Sequence, residues 1–349
     1  MRRHLFLILF TLVAVTVAGE SLNRPKRLIG AVNVPSALFS SVVLVTNSDD
    51  VMMPKSHRCT GTVISKHHVL TAAHCLVNLN PDGSYFLREN LRVFAHANGS
   101  YFLEEFAEYY IENVTLHRDF GSNFENDVAI IKISDTFGAD VIPQELAAGF
   151  RYKDDDFVHV LGFGSYSSDP YAKSLVFTTP KNLKMALYKV IRHAKCLDFW
   201  PKMNRLKQYC IGDKLRNLAV GDDGAPMLTL YQGTKFVVVG IASFNKMMFA
   251  MDEFSRVAPT VITKMNYYCQ WIQEVTEKAV SCTQLTYESG HYDSDDDESN
   301  TNTTTTTNTI STETTPDDTY FKALDGTSKS SEKPLLWSLI ILLTLSIFF

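Results

Sequence analysis

The sequence lacks a basic run of the kind that neutralises nucleic-acid phosphates, and it carries no excess of positive charge. Its net charge is -5 at pH 7 and its pI is about 6.1, whereas proteins that bind nucleic acid present basic patches to the phosphates. We therefore expect extracellular protein partners and no nucleic acid. No metal-ligand or cofactor motif is present either, so we expect neither a metal nor a cofactor.

The sequence also lacks an apolar run of about 20 residues, the length that a helix needs to span a membrane. Its N-terminal run, residues 5–18, follows Arg2 and Arg3 and ends beside Gly19. This order is typical of a secretory signal peptide, which we predict to be residues 1–19. The alternative of a membrane anchor is disfavoured because about 15 residues span only ~22 Å of helix, against ~30 Å of hydrocarbon.

The C-terminal part has little apolar sequence before its final run. Residues 283–334 are acidic and then rich in threonine, so they are predicted to be a disordered, O-glycosylated stalk. The apolar tail, residues 335–349, follows small residues and a polar spacer, as in a GPI-attachment signal that is removed. We expect a GPI anchor on the extracellular face, with a single-pass helix or a shed or secreted protein as alternatives. The attachment residue stays open among Asp325, Gly326 and Ser328.

The chain has only six cysteines. In the secretory pathway we expect them to be mostly oxidised. Three Asn-X-Ser/Thr sequons then become glycan acceptors. They lie at Asn98, Asn113 and Asn302.

Long helical periods are scarce in the centre of the chain, where short apolar runs alternate with turn residues. Such runs predict an antiparallel sandwich or barrel. They comprise residues 42–46, 62–64, 68–71, 128–133, 157–161 and 236–242. Apolar residues recur at helical spacing only near the end of this region, which predicts one amphipathic helix over residues 260–278.

Four motifs follow one another across about 230 residues. They are CTGTVIS leading into VLTAAHC, then NDVAII, GDDGAP and FSRV. In this order they resemble the chymotrypsin and trypsin-like serine proteases, which carry His, Asp and Ser in that sequence. The resemblance implies an all-β fold for residues 28–282, with two Greek-key β-barrels, a cleft between them and a C-terminal helix on the surface.

The resemblance also assigns the residues of the cleft. His74 takes the position of the general base, Asp127 that of the carboxylate that orients it, and Asp223 that of the nucleophile. The oxyanion-hole equivalents are Gly221 and Asp223. Because a carboxylate has no hydroxyl proton to give to the imidazole, we expect an inactive homologue.

Two other readings stay open for this chain. One is a hydrolase of altered mechanism that uses His74 with Asp223; the other is a surface spacer without a specific ligand. Two carboxylates around one imidazole further predict a raised pKa for His74 and an ion-paired cluster.

Two disulfides are implied by the resemblance. They are Cys59–Cys75 and Cys196–Cys210. The family's bridge that braces the specificity pocket is missing, since Ala219 stands in its place. Cys269 and Cys282 pair only if the predicted helix ends early, and otherwise one of them forms an intermolecular bond.

The pocket departs from the family's pattern as well. Asn217 occupies the base, where trypsin has an acid, and Ser243-Phe244-Asn245 replaces a Ser-Trp-Gly wall. A side chain at Asn245 should narrow a mouth that glycine keeps open.

Activation chemistry is retained in the sequence. Residues 20–27 resemble a short propeptide that ends in the dibasic site at Arg27. Cleavage there would free the amine of Leu28, and the resemblance implies that this amine pairs with Asp222. We thus expect a processed, surface-tethered homologue that acts by protein binding, or as a regulator or decoy, in an extracellular proteolytic, immune or reproductive pathway.

Overall fold

The computed structural model describes residues 32–47, 58–95, 106–121, 123–152, 156–164, 182–212, 218, 221–245 and 258–286. The predicted signal peptide, propeptide, stalk and tail lie outside these residues. So do five individual predicted sites, Arg27, Leu28, Asn98, Asn217 and Asn302. Within the described ranges, no helix has both the length and the apolar character needed to cross a membrane.

Six strands of the N-terminal half close into a barrel. Strand β1 (Val32–Asn33) pairs with the second half of the chain, and barrel one then follows. Its strands are β2 (Val42–Thr46), β3 (Arg58–Val63), β4 (His68–Thr71), β7 (Arg92–Ala95), β8 (Ala107–Leu116) and β9 (Ala129–Ile133). Their order, β2-β3-β4-β9-β8-β7, contains a Greek key because β7, the fourth strand of the barrel, returns to pair with β2, the first. Strands β5 (Val77–Leu79) and β6 (Tyr85–Leu87) form a separate hairpin.

Branched apolar side chains fill barrel one. Val43, Val45, Val69 and Ile131 are all buried in one cluster, as expected for the inward-facing positions of alternating strands. The neighbouring Gly61 is required by this packing, since a Cβ there would lie 2.7 Å from Val69 Cγ1.

The C-terminal half repeats the same topology as barrel two. Its strands are β11 (Phe157–Gly162), β12 (Lys184–Ile191), β13 (Gln208–Gly212), β14 (Pro226–Tyr231), β15 (Lys235–Phe244) and β16 (Thr260–Lys264). The order β14-β11-β12-β13-β16-β15 closes through pairing of β14 with β15. Two α-helices, α1 (His193–Leu197) and α2 (Met265–Val275), and two short strands, β10 (Leu146–Ala148) and β17 (Cys282–Gln284), lie outside the barrels. Two 3₁₀ turns, Ser36–Phe39 and Ala73–Leu76, complete the described elements. The expected fold of two β-barrels with a C-terminal helix is therefore confirmed.

The predicted helix over residues 260–278 is wrong at its start. Residues Thr260–Lys264 form strand β16, which pairs with β13 and β15. Ile262 packs in the core of barrel two, while Val261 packs on the other side against Phe244. Because both faces of the strand are buried, its apolar residues do not alternate with polar ones and mimic a helical period.

The end of α2 settles the open cysteine pairing. The helix stops at Val275, and Glu277 and Lys278 adopt positive φ angles of 51° and 67° that turn the chain back. Cys282 is thereby bonded to Cys269 with a Cα–Cα distance of 5.8 Å. The helix therefore ends before the predicted Lys278, and Cys269 and Cys282 form the intramolecular bridge that was expected in that case.

Candidate active site

The imidazole of His74 is positioned by the strand before it and by a disulfide. Strand β4 leads into a short 3₁₀ turn, Ala73–Leu76, that holds His74 at 5% exposure. The adjacent Cys75 is bonded to Cys59 on β3, and this ties the turn to the barrel wall. The second implied bridge, Cys196–Cys210, is also present.

Asp127 fixes the orientation of the His74 ring. The backbone N–H of His74 donates to Asp127 Oδ1 at 2.9 Å, and Nδ1 lies 2.8 Å from Oδ2. Ser243 Oγ donates to the same Oδ2 at 2.5 Å. Asp127 is fully buried, so these donors replace its lost hydration. The sequence identified Ser243 only as a pocket wall and missed its contact with the carboxylate.

The loop that carries Asp223 is held against barrel one. Thr60 N donates to Asp223 O at 2.8 Å, and Thr60 Oγ1 donates to Gly221 O at 2.8 Å. Gly224 has a φ of 79°, and a Cβ there would lie 2.2 Å from Thr71 Oγ1. Only glycine is accommodated at position 224. These contacts fix the backbone of the loop, and with it the position of Asp223 near His74.

Asp223 is buried, with 8% of the residue exposed. Among the residues that the structure describes, none forms a hydrogen bond or ion pair with its carboxyl group, whereas His74 is paired with Asp127. The ion pair observed in the expected cluster is therefore the one between His74 and Asp127.

In this cluster, burial and neighbouring opposite charges act in opposite directions on the pKa values of His74 and Asp223. Burial lowers the pKa of His74, but the charge and hydrogen bond of Asp127, together with the charge of Asp223, outweigh it and raise that pKa. Burial raises the pKa of Asp223 to about 7; the charge of His74 opposes this, and those of Asp222 and Asp127 add to it. The direction for His74 is the one expected from the sequence.

Asp222 points away from this cluster into barrel two. Gly164 N donates to Asp222 Oδ1 at 2.7 Å. A Cβ at Gly162 would lie 2.0 Å from Oδ1, and one at Gly164 would lie 2.2 Å from Oδ2. A Gly-x-Gly cradle therefore admits the carboxylate, and its only signal in the sequence is two glycines at the end of an apolar strand. Pairing with Leu28 stays a prediction.

The side chain of Asn245 is buried and bonded to the segment that follows the predicted pocket base. It is 2% exposed, and its Nδ2 donates to the backbone oxygen of Leu218 at 3.1 Å. Leu218 directly follows the predicted pocket base at position 217. A glycine at position 245 would have no side chain to form this bond. The narrowing of the pocket mouth itself stays a prediction.

A cavity of about 550 Å³ is lined in part by Phe124, which packs against His74, and was not predicted from the sequence. Phe124 packs between His74 and Phe244, with ring centroids 5.4 and 5.2 Å apart, and Trp200 packs edge-on against Phe244 at 4.9 Å. The lining consists of Asn123, Phe124, Glu125, Trp200, Pro201, Lys202, Met203, Gln208 and Phe244. A concave aromatic surface with a few polar groups is typical of a binding site.

The sulfur atoms beside His74 cannot serve a metal ion. Cys59, His74 and Cys75 bring possible ligand atoms within 4.8 Å of one another. Both sulfurs belong to one disulfide, however, and a disulfide offers no thiolate.

Comparison with known proteins points to one family. The sequence model described as Trypsin matches residues 29–272. Chymotrypsin-C of Rattus norvegicus is 29% identical over 267 residues, which cover 72% of this chain and 90% of that protein. Chymotrypsin-2 of Vespa crabro is 27% identical over 224 residues, covering 62% and 88%.

Solved structures agree with the fold. The crystal structure of a scabies mite inactivated protease paralogue is similar, with 25% identity, a TM-score of 0.54 and coverage of 71% of this chain and 99% of that one. The structure titled GrC has 21% identity and a TM-score of 0.56, over 71% and 99% of the two chains.

Proposed function

The chain belongs to the trypsin family of serine proteases, and on that premise we propose that it is an inactive homologue that acts by binding protein at its cleft. One observation carries the proposal. The loop that should present a serine hydroxyl to His74 presents the carboxyl group of Asp223 instead. The base and its orienting carboxylate are retained around a position that lacks the nucleophile.

Chemistry makes Asp223 a poor substitute for serine. A serine oxygen attacks a peptide carbonyl while the imidazole takes its proton. Attack by a carboxylate would form an anhydride, which expels the carboxylate more readily than the amine and returns the peptide. Loss of a triad serine lowers turnover by about 10⁶-fold in an enzyme of the same chemistry.

The similar proteins include some that are named as proteases and one that is titled as inactivated. The curated relatives are named chymotrypsins, which are proteases by name. One similar structure is titled an inactivated protease paralogue. Loss of activity within this fold therefore has a precedent among similar proteins, and Asp223 supports the same outcome here.

Two features of the cleft favour binding without cleavage. The bond from Asn245 to Leu218 supports a pocket that is narrowed for the side chain before a scissile bond. The cavity lined by Phe124, Trp200 and Phe244 remains open beside it. We propose that an apolar side chain of a protein partner enters this aromatic cavity.

We also propose that the protein is secreted and is tethered to the cell surface by a GPI anchor. Three disulfides join all six cysteines, which suits an oxidising compartment. The signal peptide, stalk and GPI signal predicted from the sequence support a location at the cell surface. Release by a phosphatidylinositol-specific phospholipase C tests the anchor, and retention in the membrane fraction would contradict it.

A fluorophosphonate probe, which reacts with activated serine, tests the missing nucleophile. We expect no His74-dependent labelling of the wild type and clear labelling of Asp223→Ser. The matched control, Asp223→Ser with His74→Ala, should lose the label. Labelling of the wild type that vanishes with His74→Ala would contradict the proposal.

Binding is tested by cross-linking on intact cells. Phe124→Ala and Trp200→Ala should lower partner capture at least about tenfold, since buried aromatic anchors dominate interfaces. The control is Phe157→Ala, which alters a phenylalanine that is 39% exposed on β11 and outside the cavity. Equal loss in all three variants would contradict binding at the cavity.

A further inference from the structure

A second cavity lies between the outside of barrel one and the end of helix α2. Its volume is about 390 Å³. None of its lining residues belongs to the candidate active site. They are His68, Glu112, Asn113, Thr115, Ile130, Lys132, Val275, Thr276 and Glu277. Strands β4, β8 and β9 form one side, and the turn after α2 forms the other.

The sequon Asn113-Val114-Thr115 lies at this cavity. Asn113 and Thr115 are two residues apart on strand β8 and therefore share a face, and both line the cavity. Val114 points the other way and packs against the core of barrel one. Asn113 is exposed. The acceptor amide and the hydroxyl that completes the sequon thus both face the same hollow.

Polar groups with free hydrogen-bonding capacity surround the sequon. His68 is only 8% exposed, and its Nδ1 lies 2.8 Å from Ser65 Oγ. Its Nε2 has no protein partner within the described ranges. Lys132 Nζ donates to Glu112 Oε1 at 2.8 Å, which leaves further donor and acceptor capacity on both groups.

The charges around His68 favour a neutral ring. Burial lowers its pKa, and the charges of His67 and Lys132 lower it further, while Glu277 and Glu112 act in the opposite direction. A neutral imidazole can donate or accept at Nε2, so it can bond a hydroxyl or an acetamide in either sense.

We propose that this cavity seats the first N-acetylglucosamine of a glycan on Asn113 and so joins barrel one to the end of α2. The proposal rests on the secretory location within the proposed function. On attachment, Asn113 Nδ2 forms a bond to C1 of a lipid-pyrophosphate-linked oligosaccharide. The C1–O bond to the pyrophosphate breaks, and one amide proton leaves with the lipid pyrophosphate.

The sugar suits the lining chemically. Its hydroxyl and acetamide groups can meet His68 Nε2, Lys132 and Glu277, while its ring carbons can cover Ile130 and Val275. Because the sugar is covalently held at the rim, its local concentration is high, and weak contacts suffice to keep it in place.

The experiment uses the full chain secreted with high-mannose glycans. Glycopeptide mass spectrometry first measures occupancy at Asn113. An endoglycosidase then trims the folded protein to one N-acetylglucosamine, and an amidase removes the glycan entirely. Thermal unfolding and hydrogen exchange are compared for the untreated, trimmed and bare forms.

We expect occupancy at Asn113 and a melting temperature that trimming leaves unchanged. Full removal should lower it by about 2–4 °C, the shift expected for the loss of about one net hydrogen bond in a domain of this size. Exchange in residues 275–277 should accelerate at least about fivefold. Amidase release leaves aspartate at position 113, so Asn113→Gln separates loss of the sugar from the added charge.

Asn98→Gln, which removes another predicted glycan, is the control and should not change exchange in residues 275–277. An unoccupied Asn113, or trimmed and bare forms with equal stability and equal exchange, would overturn the proposal. These outcomes are distinct from failure of the proposed function, which fluorophosphonate labelling of the wild type would report whatever the state of Asn113. If Asn113→Gln is not secreted, Thr115→Val, which destroys the sequon with a side chain of similar size and leaves asparagine at position 113, takes its place.

Discussion

Replacing Asp223 by asparagine should make the protein more stable, and increasingly so as the pH rises. The folded-state pKa of Asp223 is about 7, against 3.8 for the ordinary side chain. Between these values the unfolded chain has released its proton while the folded chain keeps it. Stability therefore falls with rising pH, by about 4 kcal/mol over the whole interval and by about 3 kcal/mol between pH 5 and pH 8.

His74 acts in the same direction. Its pKa is raised in the folded state, so the stability it contributes is fully present below its unfolded value of 6.5 and is lost as the pH rises through the folded value. Asparagine has no charge to ionise, and it also removes one of the influences that raise the pKa of His74. Both effects flatten the pH dependence of the variant.

Thermal unfolding at pH 5 and pH 8 measures the difference. The gap in melting temperature between Asp223→Asn and the wild type should widen by roughly 6–12 °C from pH 5 to pH 8. Asp135→Asn, which alters an exposed aspartate, is the control and should show no such change. Parallel curves for Asp223→Asn and the wild type would refute the assignment of a buried, largely uncompensated carboxyl group.

Two further predictions concern the pocket and the C-terminal bridge. In the Asp223→Ser background, Asn245→Gly removes the bond to Leu218 and should raise kcat/KM for peptide esters by about tenfold or more, with unchanged probe labelling; no gain would show that Asn245 does not obstruct the pocket. Replacing Cys269 and Cys282 together by alanine opens a loop of 13 residues' separation and should lower stability by about 3 kcal/mol in chemical unfolding. A decrease of less than about 1 kcal/mol in the free energy of unfolding would mean that the turn after α2 keeps its conformation without the disulfide.

The chemistry of the cleft could be inferred because its residues sit in short motifs. His74, Asp127 and Asp223 each lie within a run of six or seven recognisable residues, and the structure brings these runs together. Short apolar runs between turn residues also located six of the twelve barrel strands that the structure describes, namely β2, β3, β4, β9, β11 and β15. Local sequence patterns were sufficient to predict a feature wherever all its residues lie in one motif or one strand.

Contacts between distant segments could not be inferred in this way. Phe124, Trp200 and Phe244 meet in one cavity although about 120 residues separate the first from the last, and no local pattern links them. The second role of Ser243 likewise depends on where Asp127 lies in space. Strand β16 was mistaken for helix because burial on both of its faces removes the alternation that marks a strand.

The central claim is that the retained His74 performs no catalysis, and hydrolysis of a broad peptide library by the secreted protein tests it most directly. Wild type and His74→Ala should both give the rate of the library alone over an extended incubation. Product formation by the wild type that disappears in His74→Ala would contradict the claim and identify a working hydrolase.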